Sequence, residues 1–503
     1  MRHDRPRYFV VVPTMPPQHQ LPDEIADSYP YFKITRYARS VHKGDALMFI
    51  NRTDLLRTNP PQLNYGITVF DADHDDQFEF FVAGFGFHNQ LFKWDGTHYS
   101  DVAPATLTDP QRRAIGVAAG DLDGDGYEEL YILNTDTFAG RKAFADRLFD
   151  YADEWVDLFE LPRHQSVLNL TAGRSVAVVD RMGTGFYGII VANYGGAMRL
   201  YELDEDGQLV DVAPDVGLSK VTGGRGLVAL PLLSDHRADI FAGNENGANF
   251  FFKAQGDGTY ADIAEELGLH DPYEHARGIA PVDVGDGVLG LVYGNWDGTH
   301  RLFIPSSDGK WDDIAPPAMA QPSKVRTVIA ADFDNDGYQE IFFNNIGEPN
   351  RLFALRDGDW VGLSPGDAHE AQGLGTGAAV ADLDGDGRLE LLIAHGESGY
   401  QPLSLYHAPA NDNNYLRVRP LTAHGAPARG AVVTITAGGR TQRRAIDAGS
   451  GYLCQMEPIA HFGLGAVDRV DRVQVRWVDG TTIDYDDTIA INQVLRVPFP
   501  HTA

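Results

Sequence analysis

Four times in this chain three aspartates alternate with other residues, and a glutamate stands four places after the third. An apolar run follows each time. The copies are "FDADHDDQFEFFVAG" from Phe70, "GDLDGDGYEELYILN" from Gly120, "ADFDNDGYQEIFFNN" from Ala331 and "ADLDGDGRLELLIAHGE" from Ala381. Their first aspartates are Asp71, Asp121, Asp332 and Asp382, so each outer pair is 50 residues apart. The 211 residues between Asp121 and Asp332 leave room for three more units, and weaker copies occur around Asp180, Asp235 and Asp283. Seven units at one spacing define a repeat architecture, in which one supersecondary unit is built again and again.

Each unit reads as four short strands. A small apolar strand precedes the acidic loop and a second strand follows it. A third carries a recurring tripeptide, as in Arg147-Leu148-Phe149, Arg199-Leu200-Tyr201, Arg301-Leu302-Phe303 and Arg351-Leu352-Phe353. Asp-Gly turns such as Asp95-Gly96 and Asp357-Gly358 lead into the fourth. Seven antiparallel four-stranded units fit a seven-bladed β-propeller better than a solenoid. The last unit lacks a fourth strand, and "DALMFINRT" (45–53) is a strand without a unit, so it is expected to close the ring. The expected division is an irregular segment 1–44, a propeller 45–410 and a small β domain 411–503. The class is all-β.

The acidic loops present side-chain oxygens at positions 1, 3, 5 and 9, a hard-ligand set suited to Ca²⁺. The candidate ligands are Asp71, Asp73, Asp75 and Glu79; Asp121, Asp123, Asp125 and Glu129; Asp332, Asp334, Asp336 and Glu340; and Asp382, Asp384, Asp386 and Glu390. That makes about four calcium sites. The middle units have lost the set, with Met182, Thr184, Gly188, Leu233 and Gly290 in place of carboxylates, and no metal is expected there. The formal charge of −30 argues against a nucleic-acid surface, no run of 18 apolar residues spans a membrane, and the single cysteine, Cys454, excludes an intrachain disulfide framework.

These repeats resemble the FG-GAP/VCBS calcium-binding repeats of integrin-α-type propellers. The tail resembles an ASPIC/UnbV domain, on Asn414-Tyr415-Leu416, Gly438-Gly439-Arg440, Gly451-Tyr452-Leu453, His461-Phe462-Gly463-Leu464-Gly465 and Val475-Arg476-Trp477. Together they resemble the cartilage-acidic-protein-like family. The resemblance implies a calcium-binding propeller followed by a small β domain in a protein that is usually exported. The N-terminal "MRHDRPRYFVVVPTMPP" does not read as a signal peptide, because its apolar run is short and broken by prolines, so the compartment stays open.

Propeller ligands bind where the strand ends converge on the axis. Counting back six residues from each acidic loop reaches Tyr65, Ile115, Arg174, Arg225, Arg277, Arg326 and Thr376, the fifth unit being one residue shorter. Four consecutive units thus place arginine at the mouth opposite the loops. Guanidinium forks match carboxylate, sulfate and phosphate; the plainer account is that they pair with neighbouring carboxylates and carbonyls. Tyr194, Trp296 and His395 lie in loops of the same face and complete the candidate ligand site, and Asn residues there also serve as turn formers. No nucleophile elbow, P-loop, zinc helix motif or dinucleotide fingerprint occurs. Two functions stay open: a calcium-binding recognition module for a carbohydrate, a small anionic molecule or a protein partner, and a lyase or cyclase working at the arginine-lined mouth.

Overall fold

The computed structural model describes residues 48–500 except 153, 235, 487 and 488. The segment 1–44, the first residues of the expected closing strand and Asp235 lie outside the described residues. Within these limits the molecule is almost wholly β-sheet and β-propeller-like, built of successive antiparallel meanders. Their first strands are Asn64–Phe70, Ala114–Gly120, Gly173–Val179, Val221–Leu230, Ala276–Asp283, Val325–Ala331 and Gly375–Ala381. Each pairs with the strand after the following loop, and the arginine tripeptides open the third strands Arg147–Ala152, Arg199–Leu203, Arg301–Pro305 and Arg351–Arg356.

The first strands are apolar along nearly their whole length because both faces are covered. In Ala114–Gly120 and Gly375–Ala381 every residue is buried. In the meander of Gly375–Ala381 the fourth strand is Ile50–Asn51, from the start of the described chain, registered as Ile50 with His407 and Asn51 with Tyr406. The hydroxyl of Thr376 also donates to the carbonyl of Asn64 at 2.7 Å, so the first strands of the first and last units are neighbours.

Two features were not expected. The third and fourth units share one continuous eight-stranded sheet, because Gly188–Ala197 runs on past its unit and pairs with Val221–Leu230, Ala197 against Val221. The other feature concerns the C-terminal segment. It forms a three-stranded sheet (Ala460–Gly465, Asn414–Pro420, Val494–Val497) and a four-stranded one (Arg440–Ala445, Val432–Ala437, Arg472–Arg476, Thr482–Tyr485) around a core of its own that includes Leu416, Ile435, Phe462, Val473 and Trp477. Between the sheets, the stretch from Asp447 to Glu457 leaves this core and runs among the first strands of the repeats. Gln455 bridges to Thr68, Leu453 O accepts from Val117 N at 3.2 Å, Ala448 O accepts from Val178 N at 2.7 Å, and Gly451 exchanges backbone bonds with Ile279.

Candidate functional site

The acidic loops fold as their spacing requires. In each, the first aspartate accepts the backbone N–H of position 6 with one oxygen: Asp76 to Asp71 at 2.9 Å, Gly126 to Asp121 at 3.2 Å, Gly337 to Asp332 at 2.9 Å and Gly387 to Asp382 at 3.0 Å. Position 6 has positive φ throughout, 95° at Gly126 and 73° at Asp76, where the aspartate adopts the same turn. The closing glutamate begins the next strand and accepts the N–H of position 2, as Glu79 does from Ala72 and Glu390 from Leu383, both at 2.8 Å.

The remaining oxygens are left facing one another. Asp332 Oδ1, Asp382 Oδ1 and Glu390 Oε1 are buried without a hydrogen-bond partner among the described residues. Burial, with the neighbouring carboxylates adding to it, pushes Asp121 up to about 7 and raises Glu129, Glu340 and Glu390 well above the usual carboxylate range. Such buried orphan oxygens fit a divalent cation. Asp71, Asp73 and Glu79, the triad Asp121, Asp123 and Asp125, and the group Asp382, Asp384, Asp386 and Glu390 each bring oxygens within 4.8 Å of one another.

The third strands add two groups absent from the sequence pattern: Asp150 beside Asp123 and Glu129, and His407 beside Asp384 and Glu390. Each stands next to the tripeptide position, which was the available signal. Three loops carry cations, and in the loop that begins at Asp382 they are Arg388 on Asp386 and Arg417 on Asp382 at 2.9 Å. Lys93 Nζ lies 2.7 Å from Asp73 and Asp75 and 3.1 Å from Glu79, and Arg356 reaches Asp334, Asp336 and Glu340 at 3.2, 2.7 and 3.3 Å. The loops without the acidic set keep the turn: Asp180 accepts Gly183, Thr184 and Gly185 N–H groups, and Asp283 accepts those of Gly285 and Gly287. In the fourth unit the anchor is Asp239, which bonds Leu233 and Ser234.

At the opposite strand ends every first–second strand pair has a register shift, and in each unit the residue reached by counting back six lies within it. A bulge re-aims a side chain, and here it turns the counted residues toward one cavity. The cavity measures about 450 Å³, and its walls include Arg174, Arg225, Arg277 and Arg326 together with Tyr65, Ile115 and Thr376. Trp296 lines it too, as do residues that sequence reasoning did not select: Phe85, Arg113, Phe138, Glu245, Glu397 and Tyr452.

The four arginines alternate with rings and carboxylates. Tyr194 stands between Arg174 and Arg225, at 5.3 and 4.5 Å from ring centroid to guanidinium carbon. Trp296 stands between Arg277 and Arg326 at 5.4 and 4.2 Å. Glu245 joins Arg225 to Arg277, and Glu397 pairs with Arg326. Arg174 has no carboxylate; it donates to the carbonyls of Gly173 at 2.7 Å and Phe138 at 2.6 Å. Pairing is therefore incomplete. Nε and Nη1 of Arg225 and Nε of Arg277 are buried without a partner, on side chains that are each 3% exposed as residues. Five arginines and three carboxylates (Asp136, Glu245, Glu397) line the cavity, an excess of positive charge in a chain of net charge −30.

His395 does not belong to this cavity. Its Nδ1 faces Pro402 O at 2.7 Å and its Nε2 faces Glu370 at 3.1 Å, and the ring is buried. It stands where other units place an asparagine whose amide braces the loop, as Asn193 does to Ala197 O and Asn295 to Thr299 O, both at 2.6 Å. His300 is likewise enclosed, and burial, with Arg351 adding to it, holds it down at about 3. The floor of the cavity comes from the C-terminal segment. Tyr452 is 4% exposed. Burial alone would raise its phenol, but Arg225, Arg326, Arg277 and Arg174 together outweigh burial and hold it below the ordinary tyrosine value.

Residues 71–132, 284–343 and 332–393 match the FG-GAP-like repeat model, and 422–501 match the ASPIC and UnbV model. Cartilage acidic protein 1 of Homo sapiens is 46% identical over 88% of this chain and 73% of that protein. This chain belongs to the cartilage acidic protein family. The Xenopus tropicalis cartilage acidic protein 1 is 45% identical over 88% of this chain and 75% of its own length. Among solved structures, the BP39L lectin from Burkholderia pseudomallei aligns with TM-score 0.46 and 14% identity, over 70% of this chain and 98% of the lectin. The SapL1 lectin, solved with alpha methyl fucoside, aligns with TM-score 0.38 and 13% identity over 60% and 96%. Both likenesses are distant and carry no weight for the site of this family member.

Proposed function

We propose that residues 45–410 of this cartilage acidic protein family member close as a seven-bladed propeller, with 411–503 as a small β domain, and that the acidic loops hold about four calcium ions. When bound, calcium would neutralise the facing carboxylates and stiffen each hairpin. Asp71, Asp73, Asp75 and Glu79, and their counterparts in the other three loops, would supply the oxygens.

On that frame the arginine-lined mouth is a recognition site. Its ligand presents a negatively charged group, as a small anionic molecule, an acidic sugar or an acidic side chain of a protein partner does. The observation that carries this reading is the excess of cationic side chains on the walls of one cavity, five arginines against three carboxylates, because guanidinium forks bind oxyanions through charge-assisted hydrogen bonds. Tyr194 and Trp296 hold the arginines in place, and Trp296, which lines the cavity, offers its ring to the ligand. His395, set apart from the cavity, has no part in binding. A lyase or cyclase at the same mouth would need an acid–base pair, for which the cavity offers Tyr65, Tyr452, Asp136, Glu245 and Glu397, the two glutamates being paired with arginines.

The test is a thermal-shift screen of the calcium-loaded protein against sulfate, phosphate, benzoate and glucuronate at constant ionic strength. At least one anion is expected to raise Tm over matched chloride, and Arg174→Gln with Arg277→Gln should abolish the rise. A panel without effect, or an effect indifferent to both substitutions, would overturn the reading.

A further inference from the structure

We infer that the well takes a small molecule with one oxyanion on an apolar or aromatic body, and that Tyr452, delivered by the C-terminal segment, donates a hydrogen bond from its hydroxyl to that oxyanion. The inference rests on the anion-site reading above and adds the ligand class and a contact from outside the repeats.

Geometry supports the class. A cavity of about 450 Å³ is at the small end of organic-ligand sites and too narrow for a folded partner. Its lining includes the rings of Phe85, Phe138 and Trp296 beside the guanidinium groups of Arg225 and Arg277. A single oxyanion can meet the guanidinium groups of Arg225 and Arg277, both of which line the cavity, while the body lies against the rings.

Tyr452 is placed for a separate role. Its hydroxyl makes no hydrogen bond to the described residues, although the residue is 4% exposed and lines the cavity. Its backbone neighbours are fixed: Gly451 exchanges bonds with Ile279, and Leu453 N donates to Ser175 Oγ at 3.3 Å. The groups whose charge reaches it are Arg174, Arg225, Arg277 and Arg326, and Tyr65 lies beside it. Of the carboxylates that line the cavity with it, Glu245 and Glu397 are already taken by those arginines, and Asp136 is the third. A free hydroxyl facing a cationic wall across an open cavity is a donor without an acceptor, and an oxyanion between them completes both.

The experiment uses the full chain with calcium and three probes: phenyl sulfate, benzoate and inorganic sulfate. Calorimetric titration gives affinity, and absorbance at 295 nm, taken as wild type minus Tyr452→Phe, isolates the ionisation of this one phenol. An organic anion is expected to bind at least tenfold more weakly to Tyr452→Phe, which keeps the ring and its packing. The same anion should shift the Tyr452 titration to higher pH, since a bound negative charge opposes phenolate. The organic probes should bind more tightly than inorganic sulfate, because they use the aromatic walls. If Arg225→Gln abolishes binding while Tyr452→Phe changes neither affinity nor the titration, the tyrosine contact is wrong and the anion site stands. If inorganic sulfate binds as well as phenyl sulfate, the ligand class is wrong. If no probe binds, both readings fall.

Discussion

Between Arg225 and Arg277 stands one carboxylate, Glu245, whose charge keeps two buried guanidiniums together. Burial would raise its pKa, but the two arginines outweigh burial and hold it at about 2. A carboxyl depressed in this way stabilises the fold at pH values above its unfolded value, near 4.5, and loses that contribution as pH falls toward 2. Glu245→Gln is therefore expected to cost about 3 kcal/mol at pH 7, as removing one partner of a buried ion pair does. The gap between variant and wild type should narrow below pH 4, and denaturant unfolding at pH 7 and pH 2.5 checks both statements. Small residues matter as much at this scale. A Cβ on Gly66 would lie 2.4 Å from Leu453 O and 2.7 Å from Ile115 O, whereas one on Gly362 would meet nothing nearer than 3.7 Å. Gly66→Ala should thus cost about 1–3 kcal/mol and Gly362→Ala almost nothing, measured by thermal unfolding.

At the scale of the element, the acidic hairpin is a self-supporting turn whose carboxylates outnumber the cations beside them. An ion that binds only the folded hairpin stabilises it by mass action, about 2.7 kcal/mol per site at a hundredfold excess over Kd. Chelation should accordingly lower Tm, and millimolar calcium should restore it; a Tm unmoved by chelator would remove the calcium assignment. Asp150→Asn is expected to weaken one calcium site and leave the others, read as a change in one class of sites by calorimetry. Much of this was legible in the sequence. The aspartate ladder marks where each first strand ends, and a constant distance from loop to bulge lets a count of six reach Arg174, Arg225, Arg277 and Arg326. The same regularity misplaced His395, because it fills the loop-bracing position that asparagine holds elsewhere. Asp150 and His407 escaped because they come from a strand that the ladder does not number. Tyr452 escaped because nothing local tells a hairpin in the tail that its destination is a cavity walled by repeats hundreds of residues earlier.

For the whole molecule, the decisive contact is between the tail and the repeats. Buried arginines fasten it. Arg417 pairs with Asp382 at 2.9 Å, Arg444 with Asp283 at 3.2 Å, and Arg429, 1% exposed, with Glu128, so the basic strands of the tail sit on the acidic-loop face. The inserted stretch is held by Gln455, whose amide accepts from Thr68 Oγ1 at 2.7 Å and Ala119 N at 2.8 Å and donates to Ala119 O at 2.9 Å. Gln455→Ala would strand those backbone groups, and a loss of about 2–4 kcal/mol is expected, with the wild-type value recovered by no single substitution in the repeats. The insertion also sets a timetable. The codon for Gln455 has to be translated before Asn64–Phe70 can receive its last neighbour, so a sheet made early is among the later ones to be finished. Contacts that span nearly the whole chain are slow to form, and nascent chains of this protein are expected to need shelter until translation ends.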